Sequence, residues 1–201
     1  MSTPPTNRHP VYWIGGSFSG GKTTTTQLLG ERYELEVYRL DWHMLNDPAF
    51  EEFLIKSGNW FWMSNELKMG RYIPAFPVAV GQIEDLSRAG PVIVEGPGLL
   101  PQLLANHGVA PQKIIYLLPT PSHQRKVNWI RGEWVQRTIA PFADPERAWE
   151  EWMQLDEQFA DLIEVAATEA GYRCVRNDGT LSAEDVAQLV ERHFGLVEPP
   201  A

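Results

Sequence analysis

Cysteine is almost missing from this 201-residue sequence: Cys174 stands alone, so no internal disulfide can form, and no grouping of Cys and His has zinc-ligand spacing. The single thiol is expected to be buried. Long apolar runs are lacking too. No stretch has the roughly 20 apolar residues that a membrane span requires, and the N-terminal MSTPPTNRHP carries no apolar core of the kind found in a secretory leader. A membrane partner is therefore not expected, and a cytoplasmic location is. Positive charge is scarce, with 17 Lys and Arg against 26 Asp and Glu and a net charge of −9. An extended polyanion needs a basic surface, so nucleic acid is excluded as a sequence-independent partner and small molecules or proteins are left. Internal repeats and low-complexity linkers are absent. What the chain has in excess is tryptophan, eight in all and several of them clustered, more than a core of this size requires.

Hydrophobic patterning gives the fold class. Five short runs rich in β-branched or aromatic residues read as strands: Val11 to Ile14, Glu36 to Leu40, Pro91 to Val94, Lys113 to Leu118 and Tyr172 to Val175. The runs at 92–94 and 114–118 do not alternate, as expected of strands covered on both faces, and helical patterns lie between them. The expectation is a parallel α/β sheet in one domain over 11–196, with loose tails at 1–10 and 197–201. A helix from Lys22 should stop at Gly30, and helices are expected near 48–57, 60–69 and 76–89, from Pro121 to about Thr138, from Pro145 onward, and from a Ser182/Asp185 cap to Phe194. Trp149, Trp152, Phe159, Ile163 and Ala166 recur at helical spacing and are read as core.

One motif carries chemistry. Gly16-Ser17-Phe18-Ser19-Gly20-Gly21-Lys22-Thr23 fits the phosphate-binding pattern of Gly, four residues, Gly-Lys-Ser/Thr, between a strand and a helix. Glycines let successive backbone N–H groups turn inward as an anion nest, and the helix adds its positive end. Lys22 supplies a point charge for the β- and γ-phosphates, the Thr23 hydroxyl one position on Mg²⁺, and Thr24 a contact to the α-phosphate. No Asn-Lys-x-Asp guanine signature occurs, which disfavours a regulatory GTPase, and no strand ends in the Asp-Glu of motor-type ATPases.

With this loop the chain resembles the P-loop small-molecule kinases, a group that includes nucleoside and nucleotide kinases, gluconate and shikimate kinases and the chloramphenicol phosphotransferase. The resemblance implies a three-layer P-loop NTPase fold with a five-stranded parallel sheet in the order 2-3-1-4-5. It further implies a helical substrate-binding insertion, here 42–90, a basic lid after the fourth strand, here 121–145, and the use of ATP and Mg²⁺. Asp41, closing the second strand, is the candidate base for the acceptor hydroxyl or a Mg²⁺-linked group, or else a helix cap. His43 is a substrate contact or a packing residue. Glu95, at the end of VIVEG, stands where the usual strand-end acid would be. It is expected to hold the Mg²⁺ water shell or orient the acceptor, or else to bond neighbouring backbone.

Charge supports a lid. Residues 122–137 hold four basic residues (Arg125, Lys126, Arg131, Arg137) and one acid, whereas 144–161 hold seven acids and one Arg, read as a solvated helix face. Val127, Ile130 and Trp134 form an apolar stripe with Asn128 and Arg131 beside it, so Arg131 is the candidate for the transferring phosphate and Arg125 for flanking the nucleotide. Solvated surface arginines are the alternative. Asp178, in the loop after the fifth strand, is placed beside the base by the resemblance, or belongs to a simple Asn-Asp-Gly turn. Trp42, Phe50, Phe53, Trp60, Phe61 and Trp62 in the insertion are either walls of an acceptor pocket, Trp60 among them, or the core of a small subdomain.

The reading that follows is an ATP- and Mg²⁺-dependent phosphotransferase acting on a hydroxyl of a small molecule. The alternative is a non-catalytic ATP-binding sensor, suggested by the missing strand-end Asp. A homodimer is conceivable if tryptophans are exposed.

Overall fold

The computed structural model describes residues 8–53 and 60–197. Strands β1 (Val11–Gly15), β2 (Glu36–Arg39), β3 (Val92–Glu95), β4 (Ile114–Pro119) and β5 (Arg173–Asn177) form one parallel sheet in the order β2-β3-β1-β4-β5. Strand periodicity assigns the two faces. Trp13, Val92, Val94, Ile114, Tyr116 and Leu118 point into the larger core, under α3 (Asn65–Leu86), α4 (Pro101–Asn106) and α7 (Pro145–Glu169). Tyr12, Ile14, Ile93, Ile115 and Leu117 point the other way, onto α1 (Lys22–Tyr33) and α8 (Ala183–Phe194). The result is the three-layer arrangement expected from apolar, non-alternating strands, and among the described residues no helix is long and apolar enough to cross a membrane.

Several boundaries depart from the expected ones. Gly30 does not end α1; the helix continues to Tyr33, and Glu34 takes the left-handed turn at φ 52°. Gly30 is small because a Cβ there would lie 2.6 Å from the Val37 side chain. Leu40, expected to end β2, opens α2 (Leu40–Asn46). Among the described residues between α2 and β3, the expected helices are replaced by two 3-10 turns, Pro48–Phe53 and Trp60–Trp62, and one 22-residue helix, α3; part of the expected 48–57 helix lies outside the described residues. Pro74 and Pro77 sit inside α3. Each removes one backbone hydrogen bond, but the buried stripe Tyr72, Ala75, Phe76, Ala79 and Ile83 runs past both and holds the helix to the sheet.

The expected 121–138 helix is broken into α5 (Pro121–Ile130) and α6 (Glu133–Ile139) because Gly132 adopts φ 53°. The orientation of α5 also reverses expectation. Its buried residues are Gln124 and Asn128, while Trp129, Ile130 and, at the start of α6, Trp134 are exposed. Residues 8–10 of the supposed tail are bound to the body: His9 N–H donates to Ser87 O, Val92 N–H to Pro10 O, and Arg8 pairs with Glu84. Cys174 is only half-buried.

Most of the tryptophan excess is gathered in one place. Phe61 and Trp62 pack against Trp152 of α7 at 4.5 and 5.8 Å between ring centroids, Trp62 meets Phe142 at 4.4 Å, and Trp134 and Trp149 complete the group around Trp152. The Trp62 indole N–H donates to Ala148 O at 2.8 Å. These rings tie the 60–62 turn to α6 and α7.

Candidate active site

The loop between β1 and α1 rests on β4. Gly16 has φ 130°, a backbone conformation that L side chains avoid, and both Gly16 and Gly20 lie so close to Leu117 that a Cβ on either would overlap its carbonyl oxygen. Ser19, not a glycine, is left-handed at φ 60°, and Gly21 at φ 90° leads into α1. The loop is therefore seated tightly on β4 at the positive end of α1. Lys22 is buried, and its Nζ donates to Ser17 O at 2.6 Å; the Ser17 hydroxyl is buried with no partner.

Parallel register brings the carboxyl ends of the central strands together. Glu95 lies opposite Ile14 on β1 and opposite Arg39 on β2. Its Oε1 accepts from the Thr23 hydroxyl at 3.0 Å and from Arg39 Nε at 3.3 Å. Burial is the largest influence on both charges here, pushing the Glu95 carboxyl upward and the Lys22 ammonium downward, while their mutual attraction opposes both shifts. Among the described residues no cluster of three His, Cys, Asp or Glu could hold a metal ion. Thr23 with Glu95 nonetheless fits Mg²⁺, which keeps several waters and takes its other ligands from phosphates.

Helix α5 reaches the loop through a polar contact. Asn128 Oδ1 accepts from the Ser19 hydroxyl at 3.0 Å and from Arg131 Nη1 at 3.2 Å, and its amide donates toward Met153 Sδ at 3.7 Å. This accounts for the inverted α5: of its two buried side chains, Asn128 meets the phosphate loop and Gln124 donates to Met153 O of α7 at 3.2 Å. Arg131, exposed at the break between α5 and α6, is thereby tethered over Ser19.

The other expected site residues are distributed unevenly. Asp41, in the first turn of α2, accepts the Trp42 N–H through Oδ1 at 2.8 Å and interacts electrostatically with Lys22, Glu95 and Tyr72, so it belongs to the same cluster of charges. His43 is turned to packing. Its ring stacks on Tyr38 at 4.1 Å, with Asp47 at 3.8 Å. Trp60 packs edge-on against Tyr72 at 5.7 Å and joins the core edge. Arg125 is held by Glu150 and Glu157 of α7 at 2.8 and 3.0 Å. Asp178 accepts from Thr180 in a tight turn, and Thr24 is exposed. Next to that turn, the adjacent Asn177 accepts the Gly179 N–H.

Residues not singled out as site residues also converge here. The acidic stretch of α7 is not a uniformly solvated face: Asp156 is 2% exposed, and Lys68 of α3 lies fully buried with Nζ 3.6 Å away. The signal for Asp156 was its spacing, four residues after Trp152 and three before Phe159, on the apolar stripe itself. Burial pushes the Asp156 carboxyl up to about 6, against the pull of Lys68.

No family model matches the chain, and no curated protein matches it. Solved structures do. The shikimate kinase of Acinetobacter baumannii, in complex with shikimate, is similar at TM-score 0.57 and 15% identity over 93% of this chain and 94% of its own. The shikimate kinase of Bacteroides thetaiotaomicron gives 0.56 and 14% over 93% and 99%, and the tunicamycin resistance protein of Deinococcus radiodurans 0.53 and 18% over 96% and 100%. At such identities the likeness concerns architecture, and it extends over nearly the whole length of each chain. A phosphate loop opening a parallel sheet in this order, with these neighbours, gives the chain the fold of the P-loop small-molecule kinases.

Proposed function

We propose that this protein transfers the γ-phosphate of ATP to a hydroxyl of a small acceptor. The observation that carries the reading is the convergence of buried Lys22, the Thr23–Glu95 hydrogen bond and the Ser19–Asn128–Arg131 contact on one glycine-lined loop. The loop amides and Lys22 neutralise the phosphates. Mg²⁺, when bound through Thr23 with its water shell held by Glu95, would offset the charge that develops on the leaving diphosphate. Asp41 orients the acceptor hydroxyl and receives its proton as the oxygen–phosphorus bond forms and the bond to the β-phosphate bridge breaks, releasing ADP. Arg131, held near the loop by Asn128, stabilises the transferring group. Positioning and charge stabilisation are what phosphoryl transfer chiefly requires.

The test is calorimetry with ATP and Mg²⁺, followed by detection of phosphorylated products over nucleosides, sugars and aminoglycosides. Replacing Lys22 with Ala should abolish turnover. An unchanged rate would sink the proposal, and tight ATP binding with no product across the panel would favour the sensor.

A further inference from the structure

Three buried polar atoms on α3 and α7 lack a hydrogen-bond partner. Lys68 Nζ and Asp156 Oδ1 form an ion pair at 3.6 Å on side chains 0% and 2% exposed, just beyond hydrogen-bonding distance, and neither atom has a hydrogen-bond partner. One turn before Lys68, Asn65 spends its amide N–H on Leu155 O and leaves its buried Oδ1 unpaired. The group is built rather than accidental: Asp156 Oδ2 accepts from the Trp152 indole at 3.0 Å, which fixes the carboxylate with its other oxygen free. Such an arrangement is costly. A buried ion pair lacking supplementary hydrogen bonds is commonly no better than two apolar side chains of similar volume, and each unmet donor or acceptor adds a penalty. Stability therefore gives no reason for it.

Its position does. Lys68 Nζ lies 5.4 Å from the ring centroid of Phe18, a residue of the phosphate loop, and Asp156 interacts electrostatically with both Lys22 and Arg131. The pair thus lies beside the phosphate loop, within electrostatic reach of Lys22 and Arg131. The unmet atoms comprise one cationic donor and two acceptors whose formal charges cancel within the pair. A carboxylate or phosphate brought here would meet Asp156, and an ammonium would meet Lys68. A hydroxyl both donates and accepts, so adjacent hydroxyls satisfy all three atoms, and the Phe18 and Trp152 rings offer apolar walls of the kind ligand sites use.

We infer that Lys68, Asp156 and Asn65 bind the acceptor, and that the acceptor is a neutral polyhydroxylated molecule, a sugar, a cyclitol or the sugar of a nucleoside. The inference rests on the phosphotransferase reading above. The test uses the purified full-length chain with ATP and Mg²⁺, assayed for phosphorylated product against three groups: neutral sugars and cyclitols; nucleosides; and the charged compounds gluconate, shikimate and aminoglycosides. Two variants accompany it. Lys68→Met/Asp156→Leu replaces the pair with apolar side chains of similar size, and Asp156→Asn keeps an acceptor for the Trp152 indole, so that one decides if the other fails to fold. The expected result is phosphorylation of a neutral polyol, the first two groups separating free sugars from nucleosides. In each folded variant kcat/KM for that acceptor should fall by about 100-fold or more, with ATP affinity within about twofold of the parent. The inference is overturned if the phosphorylated compound is an acid or a cation. It is overturned equally if ATP binds and no neutral polyol reacts, or if the variants keep their acceptor kcat/KM, since water would then meet the unpaired atoms. Failure of the parent protein to bind ATP would instead overturn the phosphotransferase reading.

Discussion

Alanine substituted for glycine should have opposite effects at two ends of this molecule. At Gly20 an added Cβ would lie 2.9 Å from the Leu117 carbonyl carbon and closer still to its oxygen, and that atom belongs to the backbone of β4, which cannot rotate away. The loop must lift instead, and forced displacement of packed groups costs about 1–3 kcal/mol. Gly16 adds a second cost: its φ of 130° is strained for any L side chain, by about 1–3 kcal/mol, so Gly16→Ala should lose about 2–6 kcal/mol in total. Gly81 is the control. It sits in the interior of α3, exposed, and an added methyl group there would meet nothing within 4 Å, so Gly81→Ala should gain about 0.5–1 kcal/mol through helix propensity. For a chain of this length 1 kcal/mol moves Tm by about 2–4 °C. Thermal denaturation should therefore show Gly81→Ala melting above the parent and Gly20→Ala below it, with Gly16→Ala lowest. Calorimetry on whatever fraction of the loop variants stays folded should show ATP affinity reduced about tenfold or more, since a raised loop no longer presents its amides to one point. A Gly20→Ala protein that melts with the parent and binds ATP normally would refute the view that the loop is seated on β4.

Two further outcomes follow from side chains. Because the Asp156 carboxyl is pushed up to about 6 from 3.8, the unfolded chain releases this proton first as pH rises; the group therefore destabilises the fold progressively between about pH 4 and 6, by about 3 kcal/mol once both states are ionised. The Lys68→Met/Asp156→Leu variant lacks this contribution, so its stability relative to the parent, measured by urea denaturation, should rise by that amount from pH 4 to 7; a constant difference would contradict the burial of this carboxylate. Arg125→Ala should lower stability by about 1 kcal/mol through loss of the Glu150 and Glu157 pairs and leave ATP affinity unchanged, whereas a tenfold weaker affinity would return Arg125 to the nucleotide.

What the sequence disclosed about this protein was local. The phosphate loop is a contiguous segment whose residues act together, so strand, turn and the start of the helix could be read from residues 11–22, though not the helix's end at Tyr33 in place of Gly30. The strands were legible because double coverage forbids alternation. Their order was not; it came from the resemblance that the loop suggested. Where the reading failed, tertiary contacts outweighed local preference, as when a long apolar stripe carries α3 through two prolines or a phosphate loop draws Asn128 inward and turns Trp129 out. Lys68 and Asp156 were hidden for a related reason. A charged residue in a charged segment reads as solvated, and only its phase on the helix relative to Trp152 and Phe159 shows that it faces inward.

The ring cluster around Trp152 joins the 60–62 turn to α6 and α7, segments that stand about 70 to 90 residues apart in the sequence. Separating them would expose several aromatic faces at once. The cluster therefore resists any parting of the 60–62 turn from α6 and α7, and these elements are expected to move as one body. The tryptophans would report such a separation directly, since it would transfer indoles from a packed cluster to solvent and change their fluorescence.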